Sequence, residues 1–214
     1  MTVKTWLQRE GHRVEAFTSP EAFLRGVRET KPDLVLLDVV FGPVDGRLIC
    51  KSLRQDPATK GIAVILASAH RQDVADLVDG LERGADDYLL KPLDRTLTLA
   101  KVNSVMQRFQ TPDKAEETLQ HCGLRLDLRE RTARVGEREV PLTRMEFNLL
   151  THFLSNASRV LTARQLLESV WGYEPEAYND PATVQVHISR LRKKLGETFS
   201  SRLSTLVNVG YRLD

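Results

Sequence analysis

The chain has 214 residues, with 31 Lys and Arg against 29 Asp and Glu and a formal net charge of +2. That length allows one large or two small domains, and the near balance of charge excludes reading a partner from the chain as a whole. Cys50 and Cys122 are far apart and lack CxxC spacing, and the five histidines have no metal-ligand spacing, which argues against a disulfide framework or a zinc module.

Residues 1 to about 106 alternate short apolar strands with amphipathic helices, the pattern of a parallel α/β sheet. Trp6 to Gly11 reads as a helix end closed by Gly11, and His12 to Thr18 as a strand. Ser19-Pro20-Glu21 is a helix start, with a cap, a proline at the first helical position and an early acid. That helix runs to about Thr30. Asp33 to Asp38 is a near-continuous apolar run, expected of a strand buried on both faces. Gly42 to Gly46 is a loop, followed by a helix to about Arg54. Ile62 to Ala67 is the next buried strand, Gln72 to Arg83 the next helix, and Gly84 its C-cap. Tyr88 to Leu90 is the last strand, then Lys91-Pro92, then a helix to about Arg108.

The run from Gln110 to Glu117 is polar, charged and broken by Pro112, and reads as a linker. The expected organisation is a first domain over 1–108, a linker over 109–120 and a second domain over 121–214. Short strands are expected at Leu124–Leu126, Ala133–Val135 and Glu139–Leu142. Thr143 with Glu146, and Thr162 with Gln165, are capping boxes that announce two helices.

In the stretch from Thr183 to Gly196, the apolar residues Val184, Ile188, Leu191 and Leu195 recur as one helical stripe. The opposite side carries Val186, Ser189, Arg190 and Lys193, with Thr183, His187 and Lys194 on its flank and Arg192 adding to the basic run. From Ala182 to Leu213 the basic residues are Arg190, Arg192, Lys193, Lys194, Arg202 and Arg212, against Glu197 alone. A local basic patch is the footprint of a phosphate-backbone binder. Thr205 to Leu213 follows as a β-branched hairpin. A basic helix followed by a hairpin reads as a winged helix-turn-helix, a DNA-binding module.

In a parallel α/β sheet, functional groups gather at the carboxyl ends of the strands. Asp38, Ser68 and Lys91 fall there. A carboxylate, a hydroxyl and an ammonium on one edge suit phosphoryl chemistry: a nucleophile that becomes an acyl phosphate, a donor to a phosphoryl oxygen and a cation for the charge. No second acid stands nearby in sequence to serve as a general acid, so a phosphatase-like enzyme is a weak reading.

The runs Asp33–Asp38, Asp45-Gly46, Ser68-Ala69 and Gly84–Pro92 resemble the receiver domain of two-component response regulators. Leu142–Leu150, Leu166–Gly172, Val184–Gly196 and Gly210-Tyr211-Arg212 resemble the winged-helix effector domain of the OmpR/PhoB subfamily. The resemblance implies a doubly wound parallel sheet, flavodoxin-like, followed by an α+β winged helix-turn-helix domain. It implies Asp38 as phospho-acceptor and a ligand of Mg²⁺, Ser68 as the hydroxyl that follows the phosphoryl group, Tyr88 as the aromatic switch and Lys91 as the phosphate-binding lysine. It implies DNA contacts from Thr183, Val186, His187, Ser189, Arg190, Arg192, Lys193, Lys194 and Thr205. Double-stranded DNA, a sensor histidine kinase, RNA polymerase through the loop around Tyr173 and Tyr178, and a homodimer on DNA are the implied partners. A cytoplasmic protein with no membrane segment is expected: no apolar run approaches the roughly 20 residues of a spanning helix.

The chain departs from the pattern in places. The family's first strand ends in two acids that hold Mg²⁺ beside the acceptor. Counted back from Asp38, they would precede Met1, so the expectation is a receiver lacking its first strand, a chain incomplete at its N-terminus and poor Mg²⁺ coordination. A regulator that works without phosphorylation, through dimerisation or a partner, is the alternative. Leu77 and Leu97 stand where the receiver dimer commonly has Arg and Glu, while Asp86, Asp87 and Lys101 keep its charges. Ala182 replaces a usual phosphate-contacting Arg, and Val207-Asn208 the usual Arg-Gly of the wing.

Overall fold

The computed structural model describes residues 2–69, 74–107, 118–172 and 181–214. Two compact units divide the chain, Met1–Met106 and Gln107–Asp214. In the first, α1 (Val3–Arg9) is capped by Thr2, whose side chain accepts from the Thr5 amide. Ser19 caps α2 (Pro20–Thr30) as its sequence signature predicts, and Lys31 closes it in the left-handed region at φ 45°. Then follow β1 (Leu34–Asp38), a small hairpin of β2 (Val40–Phe41) and β3 (Val44–Asp45), α3 (Gly46–Gln55), β4 (Ala63–Ser68), α4 (Val74–Glu82), β5 (Asp87–Leu90) and α5 (Arg95–Gln107). The sheet is parallel, in the order β1-β4-β5. Every residue of the central β4 is buried, as an apolar run flanked by two strands requires.

Three expectations need correction. His12 to Thr18 carries no ladder; its register needs a neighbouring strand, and none lies beside it among the described residues. It is held instead by side chains, with the Phe17 ring edge-on to Phe23 and Phe23 edge-on to Phe41. For the same reason β1 is not buried on both faces. Among the described residues it pairs only with β4, and Val35 and Leu37 are the buried residues along it. The loop after Asp38 is partly ordered as the β2–β3 hairpin.

In the second unit, β6 (Thr118–His121), β7 (Leu124–Asp127), β8 (Thr132–Val135) and β9 (Arg138–Glu139) form an antiparallel meander. The expected linker runs to residue 120, but Thr118–His121 are already a strand. α6 (Arg144–Ser155) and α7 (Ala163–Leu166) both begin in the expected capping boxes. α7 continues as a π-helical turn, Leu167–Trp171, which buries Leu167, Val170 and Trp171. α8 (Pro181–Leu195), α9 (Glu197–Ser200) and the hairpin of β10 (Leu203–Leu206) and β11 (Gly210–Leu213) complete a winged helix-turn-helix. Gly210 is required where the wing crosses Leu161: a Cβ there would collide with the Leu161 carbonyl oxygen. The residue-level expectations for 108–117 and for Tyr173 and Tyr178 lie outside the described residues.

Candidate functional site

The ladder brings the three chemical residues of the first unit to one sheet edge. Asp38 ends β1 opposite Ala67, Ser68 ends β4 opposite Leu90, and Lys91 follows β5. The Lys91 amide donates to the Ser68 carbonyl at 2.7 Å. The Lys91 ammonium forms a close ion pair with Oδ2 of Asp38. Oδ1 of Asp38 accepts from the Val40 amide at 3.0 Å. Gly46 lets α3 start against this strand end, since a Cβ there would collide with the Asp38 carbonyl oxygen. The carboxylate stays about one-third exposed, so a phosphoryl donor can reach it.

Ser68 and Tyr88 are both buried, on the paired strands β4 and β5. Burial raises the Tyr88 phenol above its ordinary value. Beside it lies a cluster that sequence reasoning missed. Arg47 takes both oxygens of Asp45 through Nε, at 3.1 and 3.0 Å, and reaches Asp76 at 2.7 Å and Asp79 at 3.3 Å. It ties the start of α3 to α4. Bonds to Arg47 hold the Asp45 carboxyl below the usual range against its partial burial.

Asp86 and Asp87, expected at a dimer face, are buried and paired within the chain. Asp86 meets Arg54 at 2.7 Å, and Asp87 meets Lys101 at 3.0 Å. Leu77 and Leu97 remain half-buried on α4 and α5.

In the second unit the apolar stripe of α8 is buried as expected: Val184, Ile188, Leu191 and Leu195 are at most 2 % exposed. The opposite side is not as expected. Thr183, Val186, His187 and Arg190 are also buried, because α8 packs on a second side as well. His187 meets Trp171 edge-on at 5.2 Å. Arg190 lies 2.7 Å and Lys194 2.6 Å from the two carboxylate oxygens of Glu146, which is fully buried on α6. The exposed line of the helix is instead Gln185, the half-exposed Ser189 and Lys193, a stripe of period four. Gln185 was missed because it is uncharged. Beside that line, Arg192 donates to the Leu203 carbonyl at 2.5 Å and to Thr205 Oγ1 at 2.9 Å, linking helix and wing. Thr205 is exposed, as are Val207, Asn208 and Val209 at the wing tip.

The comparisons with known proteins agree with both halves. Residues 1–103 match the response regulator receiver domain, and residues 137–213 the C-terminal domain of transcriptional regulatory proteins. The probable transcriptional regulator ycf27 of Cyanophora paradoxa is 35 % identical over 98 % of this chain and 89 % of its own length. The phosphate regulon transcriptional regulatory protein PhoB of Rhizobium meliloti is 36 % identical over 97 % and 90 %. Among solved structures, a mutant of RitR superposes with a TM-score of 0.72 at 28 % identity, covering 99 % of this chain and 91 % of its own. A receiver sheet with its carboxylate–lysine edge, followed by a winged helix, makes this chain a member of the OmpR/PhoB family of DNA-binding transcriptional response regulators of two-component systems.

Proposed function

We propose that Asp38 is the phosphoryl acceptor of this regulator, and that Gln185, Ser189 and Lys193, with Arg192 and Thr205 beside them, form its DNA-contacting face. The observation that carries the first part is the Lys91–Asp38 ion pair at the carboxyl edge of the sheet. An Asp38 oxygen attacks phosphorus, the bond to the donor's leaving group breaks, and an acyl phosphate forms. A sensor histidine kinase supplies the donor as a phosphoimidazole. Lys91 then faces the added negative charge. Ser68 donates its hydroxyl to a phosphoryl oxygen, and Tyr88 on the neighbouring strand is the aromatic switch. The chain is otherwise not an enzyme. No helix among the described residues is long and apolar enough to cross a membrane, in keeping with a cytoplasmic site of action.

Receivers of this family generally bind Mg²⁺, a hard cation that wants several oxygens in octahedral array. Among the described residues no group of three or more His, Cys, Asp or Glu is placed to hold a metal. Asp38 is one carboxylate already paired with an ammonium, and Asp45 is committed to Arg47. These residues do not fit the ion by themselves.

Intact-mass measurement after treatment with acetyl phosphate tests the acceptor. Slow, incomplete addition of one phosphoryl group is expected on the parent chain, since its residues do not hold Mg²⁺ by themselves, and none on Asp38→Asn. Labelling that survives in Asp38→Asn would remove Asp38 from the role. Full DNA binding without any labelling would favour control by dimerisation or a partner instead. For a homodimer, Leu77 and Leu97 offer apolar contact where Asp86 and Asp87 are spent internally. RNA polymerase would be the further partner on DNA.

The DNA face has its own test. Lys193→Ala should weaken binding to all duplexes alike and lower the salt slope by about one unit, as the loss of one phosphate contact does. An unchanged slope would move the DNA face elsewhere on the module.

A further inference from the structure

We infer that Glu146, which does not face DNA, is a positioning residue for DNA recognition: it fixes the roll of α8 and decides which of the helix's cations point outward. This rests on the proposed DNA face. Glu146 is the third residue of its helix, and its side chain closes the capping box by accepting from the Thr143 amide at 2.7 Å. A capping glutamate is ordinarily exposed; this one is fully buried. The same oxygen accepts from the Lys194 ammonium at 2.6 Å. The other oxygen faces Arg190 at 2.7 Å, an ion pair whose angle is poor for a hydrogen bond.

Arg190 and Lys194 are four residues apart, so they stand one above the other on one side of α8. A single carboxylate therefore grips the helix at two successive turns. Lys194 also donates to the Pro141 carbonyl at 2.9 Å, and Arg138 donates to the Lys194 carbonyl at 3.2 Å. These contacts lie on the flank of α8 that adjoins the exposed line of Gln185, Ser189 and Lys193. They hold two of the four basic residues of α8 inward and leave Lys193 exposed, with Arg192 anchored on the wing. Apolar packing alone is non-directional and tolerates some rotation of a helix; two charged contacts at fixed positions do not. Released, Arg190 and Lys194 have stems long enough to swing toward the exposed line, where they would add phosphate contacts that carry no sequence information.

The test uses the full chain and two duplexes, one enriched from a random pool by the parent protein and one scrambled. Glu146→Gln keeps an acceptor for the Thr143 amide but removes the charge. Its ratio of affinities for the two duplexes should fall about tenfold, the size of one lost base discrimination. Its salt slope should steepen by about one unit per freed cation. Glu146→Asp, which keeps the charge but draws it back by one methylene, should move both readouts the same way, and it is the variant read if the glutamine form does not fold. A ratio within twofold of the parent overturns the inference, as does a loss of binding to both duplexes with an unchanged slope. If the DNA face itself is wrong, Lys193→Ala leaves the parent's slope unchanged; if only the role of Glu146 is wrong, Lys193→Ala lowers the slope while Glu146→Gln behaves as the parent.

Discussion

Arg54→Leu should destabilise the receiver half by about 3–5 kcal/mol, the cost of leaving one partner of a buried ion pair alone. Against a total stability of roughly 5–15 kcal/mol this is a large share. The Arg54 guanidinium donates to the Gly84 carbonyl at 2.8 Å, to the Lys60 and Ile62 carbonyls at 3.1 and 2.5 Å, and to Asp86 at 2.7 Å. Asp86 is fully buried and also accepts from the Val64 amide at 2.9 Å. One side chain thus joins the end of α3, the entry to β4 and the entry to β5. Gly84 is part of the device: its φ is 114°, and a Cβ there would lie 2.5 Å from Arg54 Cγ. Arg54→Lys should recover little, since an ammonium cannot span the planar fork. β5 carries Tyr88 and leads directly to Lys91, so phosphoryl labelling of Asp38 should fall with stability. Denaturant unfolding, with hydrogen exchange on the amides of β4 and β5, checks this. An unchanged midpoint would mean that water replaces the guanidinium at no cost.

What the sequence makes legible is local. Ser19-Pro20, Thr143 with Glu146, and Thr162 with Gln165 announce helix starts because a cap bonds only a few residues away, and all three form. Ile62 to Ala67 reads as a buried strand because its apolar run is unbroken, and the strand forms over Ala63–Ser68. Asp38, Ser68 and Lys91 reach one edge because parallel strands put their carboxyl ends together. The misses are long-range. His12–Thr18 has strand-like residues, but a ladder needs a neighbour. Arg190 reads as exposed by its charge and its place opposite one apolar stripe, yet its partner Glu146 lies 44 positions earlier and is already explained as a cap. Arg47 is likewise silent, because Asp76 and Asp79 join it only when α4 packs beside α3. Thr118–His121 has no alternation strong enough to separate it from the polar segment before it.

Glu146→Ala should cost the effector half about 3–5 kcal/mol, more than any surface change on α8. The variant loses the cap on the Thr143 amide and leaves Arg190 and Lys194 without their shared carboxylate. Burial works to raise the Glu146 carboxyl, but the charges of Arg190 and Lys194 outweigh it and hold the group below its usual range. A depressed folded pKa contributes stability that is present above the unfolded value, about 4.3 for glutamate. That stability is lost as pH falls through the lower folded value. The effector half should therefore melt in acid more readily in the parent than in a variant lacking the triad. Fluorescence of Trp171, fully buried in this unit, reports the transition once Trp6 is replaced by phenylalanine. The decisive variant substitutes all three members, Glu146→Met with Arg190→Met and Lys194→Met. Replacing a buried ionic group by apolar residues of similar volume is often neutral or stabilising. The triple variant should regain most of the stability that Glu146→Ala loses and should lose less of it on acidification. Equal acid sensitivity in parent and triple variant would show that carboxylates elsewhere set the acid limit of this half.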